Sequence, residues 1–111
     1  MKNGKLIATL EGCIVHCNHC ADACLDEDNI KMMVDCIRND RVCVEVCSAL
    51  KNILGTSYTN VDGLVKYCEQ VCRECADECA KHESQHCKDC AEACRQCAEA
   101  CKEYLAYKHI L

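Results

Sequence analysis

Five cysteines in the run CKDCAEACRQCAEAC, namely Cys87, Cys90, Cys94, Cys97 and Cys101, step by three, four, three and four residues. That alternation keeps successive side chains on one stripe of an α-helix. The same step recurs at Cys13, Cys17, Cys20 and Cys24, at Cys68, Cys72, Cys75 and Cys79, and at Cys36, Cys43 and Cys47, where Asp40 takes the vacant place. All sixteen cysteines of the chain fall on these four seams. A coiled-coil seam normally carries leucine at such positions. A seam of thiols offers instead a row of soft ligands suited to Cu(I), zinc or iron–sulfur clusters.

Spacing and setting separate these metals. Zinc prefers closed tetrahedral sites, usually on turns that wrap around the ion, and cysteines along straight helices do not wrap. Cu(I) accepts two or three ligands, so a pair at i and i+4 on one helix, or a pair across two helices, holds an ion and shares sulfurs with the next. A continuous thiolate lining therefore fits many Cu(I) ions per chain better than a few zinc ions. Ferredoxin-type motifs lie in loops and typically end in Cys-Pro, and this chain has no proline. A thioredoxin-like CxxC needs a βαβ setting, and no alternating strand pattern is present. Metallothionein-like chains share the chemistry without the helical periodicity. An iron–sulfur or redox protein, and a general zinc or cadmium scavenger, stand as the alternatives.

Those seams need helices to carry them, and composition says what kind. A chain of 111 residues suits a single domain, residues 1–111. Half of it is nominally apolar, but cysteine supplies much of that half, with no Trp or Phe and four Tyr. So thin a hydrocarbon core calls for further stabilisation in the functional state. The net charge of -5 and the lack of a basic cluster argue against nucleic acid. The opening MKNGKLIATLEG is interrupted by Glu11 and shows neither a signal peptide nor a membrane span. The expectation is a cytosolic chain with reduced thiols, read as metal ligands before disulfides.

Helix 1 is expected from about Lys5 to Leu25, followed by a polar turn at Asp26, Glu27, Asp28 and Asn29 that supplies N-cap candidates. Helix 2 then runs to about Leu54, with Met33, Cys36, Asp40, Cys43, Cys47, Leu50 and Leu54 on its seam and Gly55 as C-cap glycine. The loop Gly55 to Asn60 leads to a capping box, Thr59 with Asp62, opening helix 3. Its seam reads Val61, Val65, Cys68, Cys72, Cys75, Cys79 and His82. The phase breaks near Glu83, and Ser84 caps helix 4, which carries its stripe to Tyr104. Alanines 91, 93, 98 and 100 flank that stripe, strong helix formers that let neighbours approach closely. Three short connections predict an all-α, antiparallel up-down four-helix bundle with a cysteine-lined core.

In that topology Leu6, Leu10, Leu50, Leu54, Val61, Val65 and Tyr104 meet at one end as an apolar plug. Cys24, Met32, Met33, His82, His86 and Cys87 gather at the other, where thioether and imidazole can pass Cu(I) inward. Met33, His82 and His86 are thus candidate ligands beside the sixteen cysteines. His16 sits beside its seam, as a ligand or an interface residue; His19 faces solvent; His109 belongs to the tail. Asp40 is either an acceptor behind the ligands or the partner of an arginine. Ile14, Val15, Val34 and Val42 lie off the seams, an excess of β-branched surface that a partner bundle would cover.

The motifs CIVHCNHCADAC, CEQVCRECADEC and CKDCAEACRQCAEAC resemble the bacterial copper storage proteins, the cysteine-rich four-helix-bundle family, over nearly the whole chain. Absence of an export signal is similar to the cytosolic branch. The resemblance implies non-enzymatic storage of many Cu(I) ions by the sixteen seam cysteines. It also implies a homotetramer, and a copper chaperone is a possible donor or acceptor. Helix 2 departs from the family pattern, with three cysteines and Asp40 in the fourth place.

Overall fold

The computed structural model describes residues 3–110, with side chains described over 3–107; the side chain of His109 lies outside them. Four helices account for most of the chain: α1 (Gly4–Cys24), α2 (Val34–Leu54), α3 (Asp62–Cys79) and α4 (Gln85–Ile110), with a 3-10 turn over Ile30–Met33 before α2. No strand occurs among the described residues. Each helix packs on two neighbours, α1 and α3 both lying against α2 and α4. The result is a slender bundle of 49 × 21 × 19 Å. Without proline, each helix runs unbroken, and the three-four step places every seam on the shared axis.

The helix ends differ in detail from the sequence expectation. α1 stops at Cys24, where Leu25 N–H donates to Asp22 O and Asp26 N–H to Ala23 O, tightening the last turn. Helix 2 does not begin as α-helix after Asn29: one 3-10 turn intervenes, opened by Met32 N–H donating to Asn29 O at 3.1 Å. Gly55 does occupy the C-cap of α2, but at φ -75 it uses none of glycine's left-handed freedom. α3 starts with Val61 at its N-cap, two residues beyond the expected Thr59. Ser84 precedes α4 as expected, its carbonyl accepting from Cys87 and Lys88 N–H, while its hydroxyl turns away to donate to Glu27.

The apolar plug forms. Leu6, Leu10, Leu50, Leu54, Val61 and Val65 are buried, and Tyr104 is partly buried against them. Ile7 and Leu105 join the plug because the buried face of a bundle helix is wider than a single seam. Ile14 packs partly against the core, whereas Val15, Val34 and Val42 are exposed. With no metal bound, this plug and the neutral thiols, which behave as small hydrophobes, hold the bundle together. Reduced, metal-free protein is therefore expected to show helical circular dichroism. Leu10, fully buried, should cost about 2–5 kcal/mol when cut to alanine, read as a lowered urea midpoint. An unchanged midpoint would mean that the plug carries no stability.

Candidate metal centre

Every one of the sixteen thiols is buried, and none is in a disulfide. Along each helix the i, i+4 partners are close: Cys13 and Cys17 Sγ lie 4.0 Å apart, Cys20 and Cys24 4.0 Å, Cys43 and Cys47 3.8 Å, Cys68 and Cys72 4.0 Å, Cys90 and Cys94 4.0 Å. Across helices the sulfurs are closer still. Cys17 to Cys94 is 3.5 Å, Cys36 to Cys79 3.4 Å, Cys17 to Cys90 3.6 Å, and Cys13 lies 3.7 Å from both Cys43 and Cys94. Cys47 touches Cys68 and Cys72 at 3.8 Å. The sulfurs thus form a connected column from the plug to the far end.

That column is built at metal-binding distances. With a metal–sulfur bond of about 2.3 Å, the sulfurs of one ion stand roughly 3.8–4.0 Å apart in tetrahedral or trigonal geometry. Several four-residue sets have all their ligand atoms within 4.8 Å of one another. Cys13, Cys47, Cys72 and Cys97 make one, drawn from all four helices; Cys13, Cys17, Cys43 and Cys94 a second; Cys17, Cys75, Cys90 and Cys94 a third. Cys13, Cys17 and Cys94 each belong to two of these sets. Closed structural zinc sites keep their four ligands to themselves; these sets share theirs.

Asp40 is fully buried and pairs with no arginine or lysine among the described residues. The thiols of Cys75 and Cys90 donate to its Oδ1 at 3.2 Å and that of Cys79 at 3.5 Å, while Cys36 reaches Oδ2 at 3.9 Å. Of the two roles open to it, the arginine pair is excluded. Its carboxylate oxygen also completes a ligand set with Cys20, Cys79 and Cys90. Burial, reinforced by the neighbouring Cys90 and Cys36 sulfurs, pushes its carboxyl up to about 8.

At the far end the expected mouth is only partly assembled. His86 does reach the column: its Nδ1 lies 3.4 Å from Cys20 Sγ and 3.5 Å from Cys87 Sγ, and it forms a set with Cys20, Cys24 and Cys87. Its Nε2 donates to Glu27 Oε1 at 2.8 Å. Ser84 Oγ donates to the same oxygen, and these two bonds hold the Glu27 carboxyl below its usual range. His82, by contrast, lies beyond the end of α3, pairs with Glu78 of that helix at 3.0 Å and hydrogen-bonds to no thiol. Met33 is buried in the core, whereas Met32 is exposed. His16 and His19 are both exposed. Burial raises the thiols of Cys24, to about 12, and Cys87, so these two keep their protons in the metal-free protein. Glu27 escaped the sequence reading, which had only its place in a polar turn to go on; the second pair, Glu78 with His82, joins the last turn of α3 to the connection that follows it.

No helix among the described residues is long and apolar enough to cross a membrane. The family model described as copper storage protein matches residues 1–106. Among curated proteins, an uncharacterised cysteine-rich protein of Bacillus subtilis, YhjQ, is 36% identical over 78 residues, 70% of this chain and 72% of the relative. Among solved structures, the Cu(I)-bound copper storage protein BsCsp3 superposes with a TM-score of 0.88 at 33% identity, covering 93% of this chain and 97% of that one. A cytosolic copper storage protein from Streptomyces lividans, solved with five coppers, gives 0.87 at 43% identity over 91% and 89% of the two chains. A column of shared thiols inside four helices, a family match over nearly the full length and these structural relatives agree: the chain belongs to the copper storage protein family.

Proposed function

We propose that this protein stores many Cu(I) ions in its core, without catalysing a reaction. The carrying observation is the overlap of the ligand sets, in which Cys13, Cys17 and Cys94 each serve two groups. Thiolates that bridge ions suit a monovalent soft cation, because one Cu(I) per thiolate leaves the buried column close to neutral. Uptake releases the thiol protons. The sixteen cysteines named above are the ligands, His86 joins them at the mouth, and Met33 and His82 line the approach. Neither the iron–sulfur or redox reading nor the zinc or cadmium scavenger is favoured, since thiols in overlapping sets along straight helices match neither loop-borne cluster motifs nor the closed turns that wrap structural zinc.

The chain works as one domain, residues 1–111, in the cytoplasm, where copper reaches it by ligand exchange from a chaperone or small-molecule carrier. Exposed Val15, Val34 and Val42 support association of bundles into a homo-oligomer, a tetramer by family resemblance. Elution as a monomer at micromolar concentration would exclude this assembly. Anaerobic titration of the reduced protein against a competing Cu(I) chelator tests the storage reading. Uptake of about one Cu(I) per thiol is expected, with proton release alongside. Saturation after two to four ions, about what discrete closed sites hold, would sink it.

A further inference from the structure

We infer that Glu27 is a positioning residue for copper uptake: by accepting from Nε2 of His86 it turns the unprotonated Nδ1 of that ring toward the thiols of Cys20 and Cys87. The functional half of this inference rests on the storage reading above. A carboxylate can only accept, so the 2.8 Å contact between His86 Nε2 and Glu27 Oε1 places the ring proton on Nε2. In the neutral ring Nδ1 is then bare, and it lies 3.4 Å from Cys20 Sγ and 3.5 Å from Cys87 Sγ. A nitrogen that carries a proton binds no metal. Carboxylate behind imidazole in front of metal is a recurring way to fix ring orientation and raise ligand basicity.

The sequence gives each partner to a different part of the chain. Glu27 comes from the connection between α1 and α2, and His86 from the first turn of α4, 59 positions away. Ser84, on the α3 to α4 connection, donates to the same Glu27 oxygen. His86 is 15% exposed and Glu27 33%, which puts the pair between solvent and the buried thiols. His82 lacks this arrangement, since its Nε2 meets Glu78 without any thiol hydrogen bond to the ring. Uptake at this point is an exchange: Cu(I) leaves its carrier, bonds form to Nδ1 and to a cysteine sulfur, and the thiol proton passes to solvent. Glu27 keeps its bond to Nε2 throughout.

The test uses reduced, metal-free full-length protein labelled with 15N in its histidines. Long-range proton–nitrogen correlation should show His86 as the Nε2–H form in the wild type. Glu27→Gln, which keeps the shape, and Glu27→Ala should both lose that single form and slow the first phase of Cu(I) transfer from Cu(I)–bicinchoninate by about tenfold or more. Glu27→Asp should restore much of both. Ser84→Ala, which removes the other bond to Glu27, should keep the Nε2–H form and stay within about twofold of the wild-type rate. Persistence of the Nε2–H form in Glu27→Ala, or a wild-type transfer rate in both Glu27→Gln and Glu27→Ala, would overturn the assignment. So would a Ser84→Ala variant as slow as Glu27→Ala with its ring unchanged, because Glu27 would then only be tying the two connections together. A wild-type chain that takes up no Cu(I) would overturn the storage reading instead, while the ring measurement still judges Glu27 on its own.

Discussion

Filling the reduced bundle with Cu(I) is expected to raise its melting temperature by more than about 20 °C, the largest single effect the structure implies. The metal-free core is lean in hydrocarbon: apart from the plug around Leu10, Leu50 and Val65, the buried column is lined by sulfur and the single carboxyl of Asp40. Metal changes what unfolding must break. The set Cys13, Cys47, Cys72 and Cys97 draws one ligand from each of the four helices, so separating any helix removes a ligand. A ligand present at a thousand times its dissociation constant adds about 4 kcal/mol to the folded state. Each kcal/mol moves the midpoint of a domain this size by roughly 4 °C. Several such ions together exceed 20 °C even after a discount for the unfolded chain, whose local i, i+4 thiol pairs retain some affinity. Anaerobic thermal melts followed by circular dichroism, with copper added stepwise, measure the shift. A fully loaded protein melting within a few degrees of the metal-free one would place the copper on pairs within single helices, not across the bundle.

The parts of this architecture that were legible in the sequence are those governed by helical period. A three-four step can lie on one face only if the segment is an α-helix, so sixteen cysteines fixed four helices, their inward faces and the thiol-lined column at once. The aliphatic ends of the same seams, Leu6, Leu10, Leu50, Leu54, Val61 and Val65, gave the plug by the same rule. Periodicity is silent where helices stop. It placed Met33 on the seam of helix 2, where it is buried, but it also gathered Met32 at the mouth, and that residue is exposed in a 3-10 turn with a different rotation per residue. It could not pair Glu27 with His86, a contact between a connection and a helix start that only the closed bundle brings together. Asp40 was placed on its seam correctly. Its partners, three thiols from two other helices on one oxygen, are again a tertiary fact.

Asp40 also makes the metal-free bundle sensitive to pH, and replacing it with asparagine should remove most of that sensitivity below pH 8. Its carboxyl titrates near 8 in the folded protein, against about 4 in an unfolded chain. Between those values the folded state holds a proton that the unfolded state has lost. Stability is therefore fully present below pH 4 and falls as pH rises toward 8, with a limiting slope of about 1.4 kcal/mol per pH unit. The physical cause is burial of a charge with no cation beside it, only the thiols of Cys36 on its own helix, Cys75 and Cys79 on α3 and Cys90 on α4. A second loss with the same sign begins above about pH 8.5, where unfolded thiols ionise. Folded Cys24, raised to about 12, and Cys87, also raised, still keep their protons there. Asp40→Asn is close to isosteric and keeps an oxygen to accept from the thiols, so it tests the charge without emptying the site. Urea unfolding of reduced, metal-free protein at pH 5, 6, 7 and 8 should show a falling midpoint in the wild type and a nearly level one in Asp40→Asn. Both proteins should then decline together at higher pH. Parallel profiles across pH 5 to 8 would show that the carboxylate is paid for by water or by movement of the helices, and that Asp40 does not carry a buried charge in the metal-free state.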